Sequence, residues 1–105
     1  DGLAEDGILL VNTERSPQQV RDQLQIEGRE IYTVDATGIA IDEIGRPIPN
    51  TVMTAALAKV TGLVHADDVK KSIKKKLGAK LSEAVLQGNM TAVDRGFKEV
   101  RGENG

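Results

Sequence analysis

Hydrophobic positions along the chain fall into short blocks that alternate between two periods. Gly7 leads into Ile8-Leu9-Leu10-Val11, a continuous apolar run too short for a helix, and such a run reads as a strand covered on both faces. Asn12-Thr13 closes it. Ser16-Pro17 has the form of an N-cap followed by proline at the first helical position, and Val20, Leu24 and Ile26 give a weak apolar stripe ending before Gly28. A second strand is expected at Ile31-Tyr32-Thr33-Val34, rich in β-branched and aromatic side chains. It runs into Asp35-Ala36-Thr37, a cap for a helix carrying Ile39, Ala40, Ile41 and Ile44 that Gly45 should end.

Beyond Gly45 the pattern is helical. Arg46-Pro47-Ile48-Pro49 is a rigid extended connector that places Asn50 where an N-cap belongs. The helix that follows carries Val52, Met53, Ala56, Leu57 and Val60, with small residues at Thr54, Ala55, Ala58 and Thr61, and stops at Gly62. A helix with so many small side chains lets other backbones come close, so it should be sandwiched. In the next helix Val69, Ile73 and Leu77 recur every four residues, with His65, Asp67 and Asp68 at its start and Gly78 at its end. From Lys80 to about Arg101, Leu81, Val85, Leu86, Met90, Val93, Phe97 and Val100 keep helical spacing. Gly88 and Gly96 leave open one helix or two short ones, and residues 102–105 should form a flexible tail.

Strand, helix, strand, helix is the order of a parallel sheet with crossover helices, so the fold class is α/β: part of a Rossmann-like parallel sheet with a C-terminal helical segment. Residues 1–101 make one unit. Two strands are too few for such a sheet, so the chain reads as the later half of an α/β domain, or as a unit adding strands to another chain's sheet. It opens on Asp1 rather than Met, which suggests a partial chain.

Composition narrows the function. At 105 residues, 39% hydrophobic and 29% charged, the chain suits one globular domain. A net charge of −2 and two aromatics, Tyr32 and Phe97, give neither the electrostatic footprint nor the stacking platform of a nucleic-acid binder. With no cysteine and one histidine, His65, the chain has no disulfide framework and no metal-ligand spacing of its own. No apolar stretch approaches the roughly 20 residues of a membrane span, so a cytoplasmic protein is expected. No pairing of nucleophile and base, phosphate loop or nucleophile elbow is present, so no catalytic residue is assigned. Asp67-Asp68 reads as acidic residues at the positive end of a helix dipole. The cluster Lys70, Lys71, Lys74, Lys75 and Lys76 is either a solvated face or a dock for anions. Asn50-Thr51 is equally double: a capping residue, or exposed donors at a helix start that face a ligand or partner.

Four stretches, ILLVNTE at 8–14, IYTVDAT at 31–37, GRPIPNTVMTAALAKVTGLV at 45–64 and NMTAVDRGFKEV at 89–100, resemble the gamma subunit of the 2-oxoacid:ferredoxin oxidoreductases, the pyruvate-specific members in particular. The resemblance spans nearly the whole chain. It departs at Thr54-Ala55, where the family often has Leu-Gly, and at His65, where relatives tend to have Ser. The family's gamma part is Rossmann-like and opens on a glycine-rich turn that these 105 residues lack.

The resemblance implies a subunit of an enzyme that oxidatively decarboxylates a 2-oxoacid, most simply pyruvate, to an acyl-coenzyme A and passes electrons to ferredoxin. Thiamine diphosphate with Mg2+ and 4Fe–4S clusters would be held by other subunits. Partners would be those subunits, the glycine-rich half of gamma, coenzyme A and ferredoxin, with no nucleic acid or membrane. Arg46, Pro49, Asn50, Thr51 and Met53 would border the active-site neighbourhood, and Lys70, Lys71, Lys74 and Lys75 would dock coenzyme A or ferredoxin. A scaffolding module with no link to thiamine chemistry, completed by a partner chain, is the alternative.

Overall fold

The computed structural model describes residues 7–103. Its elements run β1 (Ile8–Asn12), α1 (Pro17–Leu24), β2 (Glu30–Val34), α2 (Ala36–Ile44), α3 (Asn50–Thr61), α4 (Ala66–Leu77), α5 (Glu83–Glu99) and β3 (Arg101–Gly102). β1 and β2 pair in parallel, Leu9 opposite Ile31 and Val11 opposite Thr33, with α1 as the crossover. The α/β reading therefore holds, but the sheet is mixed. β3 joins the far side of β2 antiparallel, Tyr32 opposite Gly102, in the order β1-β2-β3.

Local signals explain most boundaries. Ser16 accepts a hydrogen bond from the Gln19 amide while the Gln19 side chain accepts from the Ser16 amide, a reciprocal cap for α1. Asp35 accepts from the Gly38 amide at 3.0 Å, and Asn12, at the end of β1, accepts from the Ala36 amide at 2.9 Å, so α2 is capped by its own Asp and by the neighbouring strand. Gly45 (φ 85°) and Gly62 (φ 70°) close α2 and α3 in the left-handed conformation that glycine adopts without strain.

Three expectations change, and one open alternative is settled. β1 was expected to be covered on both faces, yet Ile8 to Val11 are all only half-buried, because β1 is an edge strand among the described residues. In α1 the expected stripe shrinks to Pro17 and Val20; Leu24 is half-exposed and Ile26 lies past the helix end. α5 is one continuous helix, since neither glycine interrupts it. Finally, the tail expected from 102 is anchored at its start. Gly102 sits in β3, and Glu103 takes two hydrogen bonds from the Arg21 guanidinium, at 2.7 and 2.8 Å, while the same guanidinium donates to the carbonyls of Ile26, Gly28 and Arg29. Residues 104–105 lie outside the described residues.

The small residues of α3 do what small residues permit. Val52, Ala55 and Ala56 are fully buried, with α2, α4 and α5 packed around the helix. Val52 and Ala56 belong to a core with Val34, Ile39 and Ala92; Ala55 and Ala58 belong to a second with Val69 and Val93. Gly96 of α5 lets that helix come close to α3: a Cβ there would lie 3.0 Å from the Val52 carbonyl oxygen and 3.1 Å from the Ala55 Cβ.

Candidate functional site at the start of helix α3

α2 ends at Gly45, the proline connector crosses over, and α3 begins. Asn50 is not the N-cap. Pro49 occupies that position in a helical conformation, no side chain caps the helix, and Asn50 is its exposed first residue. With φ fixed by its ring, Pro49 enters the helical region and shifts the start by one residue. The Asn50 amide side chain is thereby left facing outward.

Thr51 behaves differently. Its hydroxyl donates to the Asn89 Oδ1 at 3.2 Å, and the Asn89 amide donates to the Val85 carbonyl one turn back on α5 at 2.9 Å. Asn89 is only 6% exposed, a polar side chain on the buried face of α5. Its place in an otherwise apolar stripe, between Leu86 and Val93, was the signal that could have singled it out.

Two adjoining depressions meet at Asn50 and Thr51. One, of about 580 Å³, reaches past Arg46 and Ile48 to Lys80, Ser82 and Asn89. The other, of about 440 Å³, runs between α3 and α4 past Thr54, Val69, Ser72, Ile73 and Lys76. Leu77 lies between them and lines both. The donors here (Arg46, Lys80, Lys76, and the Asn50 and Ser82 side chains) outnumber the single carboxylate, Asp68, whose oxygen already accepts from the His65 amide at 3.2 Å. The arrangement suits binding of a group with negative charge and apolar surface, and it holds no nucleophile placed beside a base.

Of the residues singled out from sequence, the structure gathers Arg46, Asn50 and Thr51 at the first depression. Pro49 stands beside them as the N-cap, while Met53 turns inward against the core of Val34, Ile39 and Val52. The lysines divide. Lys70 is half-buried and paired with Asp94 of α5 at 2.6 Å, whereas Lys71, Lys74 and Lys75 are exposed and Lys76 lines the groove. Of the lysine cluster it is Lys76 that lines the groove, and Lys80 and Asn89 join the site without having been singled out from sequence.

Among the described residues, no group of three or more His, Cys, Asp or Glu could hold a metal ion, and the chain has no cysteine. No helix among the described residues is long and apolar enough to cross a membrane.

Residues 1–99 match the family model described as pyruvate ferredoxin/flavodoxin oxidoreductase. Pyruvate synthase subunit PorC of Thermotoga maritima is 46% identical over 101 residues, covering 96% of this chain and 52% of that protein. The pyruvate/ketoisovalerate oxidoreductases common subunit gamma of Pyrococcus abyssi is 44% identical over 82 residues, 78% of this chain and 44% of that one. Among solved structures, the crystal structure of pyruvate oxidoreductase subunit PORC from Thermotoga maritima superposes with a TM-score of 0.84 at 43% identity, covering 98% of this chain and 56% of that chain. The chain thus spans about half the length of the curated relatives it matches. On the extent and strength of these matches, it belongs to the pyruvate ferredoxin/flavodoxin oxidoreductase family.

Proposed function

We propose that this chain acts as part of the gamma component of a cytoplasmic 2-oxoacid:ferredoxin oxidoreductase, with pyruvate as the substrate of the complex. The observation that carries this reading is the 46% identity to a pyruvate synthase subunit along nearly the whole chain. The complex would decarboxylate pyruvate on thiamine diphosphate, deliver the acyl group to coenzyme A and pass electrons through iron–sulfur clusters to ferredoxin. This chain would contribute no catalytic group. Its role would be to form a wall: Arg46, Pro49, Asn50 and Thr51 would border the thiamine and coenzyme A site, and the glycine-rich half of gamma would complete the sheet at β1. The half-buried apolar edge of β1 supports that completion, because parallel sheets with strands of this composition are normally covered on both faces.

The exposure of Asn50 makes the test clean. In the assembled complex, Asn50→Ala should leave thermal stability unchanged, since no cap is lost, while lowering turnover or raising the KM for coenzyme A. Unchanged kinetics would remove Asn50 from the active-site wall. For the lysines, neutralising Lys71, Lys74 and Lys75 together should raise the KM for ferredoxin or coenzyme A and flatten its dependence on salt.

A further inference from the structure

α1 has little apolar anchorage of its own, since only Pro17 and Val20 of its eight residues are buried. Residues 101–103 tie it down from the sheet side. Arg101 donates to the Glu14 carbonyl, in the loop before α1, at 3.3 Å. Gly102 pairs with Tyr32 and lies so close beneath its ring that a Cβ there would sit 2.8 Å from the Cε2 carbon. Glu103 then accepts from Arg21, in the last turn of α1. Three consecutive residues thus reach both ends of the crossover helix while covering the far side of β2.

The Arg21 end does more than hold β3. A guanidinium is a rigid planar fork, and the bidentate grip of its Nε and Nη2 on the Glu103 carboxylate, at 2.7 and 2.8 Å, fixes the plane. The outer edge of that plane is thereby aimed at the α1–β2 loop. Nη1 donates to the Ile26 carbonyl at 3.1 Å, and Nη2 to the carbonyls of Gly28 and Arg29 at 3.1 and 2.6 Å. In this loop Gln25 has φ 54° and Arg29 has φ 23°, positive values that residues other than glycine keep only where their surroundings over-determine them. Paired amides bracket it: Gln25 donates to the Arg21 carbonyl and Glu30 to the Gly7 carbonyl, each at 2.9 Å.

We propose that residues 101–103 act as a strap that holds the α1–β2 loop in its left-handed conformation through Arg21, so that strap and loop open together as one local unit while α3, α4 and α5 stay folded. Without the carboxylate the guanidinium loses the partner that fixes its plane, the three carbonyls lose their common donor, and Gln25 and Arg29 relax towards negative φ. Release of the strap would therefore expose the far edge of β2 and remodel the loop in a single step.

Amide hydrogen exchange on the full-length protein, each rate taken relative to its intrinsic value, tests this in Glu103→Ala and in Arg21→Lys. In both variants protection of the Gln25 and Glu30 amides should fall by about tenfold or more, as in a local opening. The Gly62 amide, which donates to the Ala58 carbonyl at the end of α3, should keep its protection. Undiminished protection of Gln25 and Glu30 in Glu103→Ala would overturn the proposal even if Arg21→Lys lost it, because the guanidinium would then hold the loop without the strap. An equal loss at Gly62 would overturn it as well, because the opening would be global.

Discussion

Gly88 and Gly96 set how closely α5 approaches its neighbours. A Cβ at Gly88 would collide with the Glu43 carbonyl oxygen of α2, backbone that cannot swing aside. In an exposed helix interior, replacing glycine by alanine adds about 1 kcal/mol of stability. Here the sign reverses: Gly88→Ala should destabilise by about 1–3 kcal/mol, as overpacking does, and chemical unfolding of the full-length protein reads it directly. Thr51→Val should cost a similar amount, about 1–3 kcal/mol, because it strands the Asn89 oxygen at a position only 6% exposed. Asn50→Ala, one residue away, should cost almost nothing in stability. The chemistry of single residues was legible wherever it is local. Asp35, Ser16, Gly45 and Gly62 do what their types do at helix ends. It failed at Asn50, where the two prolines of the connector fix the backbone and move the cap to Pro49, and at Gly88, whose requirement comes from a carbonyl 45 residues away in sequence.

At the scale of elements, β3 depends on one ion pair that joins distant parts of the chain. The Arg21 guanidinium holds the Glu103 carboxyl below its ordinary value, chiefly by hydrogen bonding and secondarily by charge, with desolvation opposing. A carboxylate whose pKa is depressed on folding contributes stability that is fully present above its unfolded value, near 4.5, and is lost as pH falls through the folded one. Acidification should therefore release Glu103 and loosen β3 while the helical core persists. Protection of the Gly102 amide, its exchange taken relative to the intrinsic rate at each pH, should fall in acid, and Glu103→Gln should remove that acid step. An identical acid response in the variant would show that other carboxylates govern it. The lysines of α4 divide by the same logic of partners. Lys70→Gln removes a half-exposed pair with Asp94 and should cost at most about 1 kcal/mol with no change in kinetics, in contrast to the outer lysines. Periodicity revealed α3, α4 and α5 because each buries a stripe. β3 escaped it, since two residues carry no pattern and their partner strand lies 70 positions earlier.

For the whole molecule, the open edge and the groove beside α3 are consequences of one fact: the described residues bury their own core but leave apolar surface at β1 and along α3 uncovered. The α/β class and the parallel β1-α1-β2 unit could be read from the order of apolar runs, whereas the groove beside α3 could not. Its walls come from the α2–α3 connector, α3, α4 and the start of α5, which only tertiary packing brings together. The proposed role within a complex would cover both surfaces. The direct test is reconstitution: coenzyme A-dependent reduction of ferredoxin by pyruvate, measured with the other subunits of the complex in the presence and absence of the full-length protein containing this chain. The account predicts that activity appears only when the protein is added and that it co-elutes with the thiamine- and iron–sulfur-bearing subunits. Full activity in its absence, with the protein eluting as a colourless monomer, would contradict it.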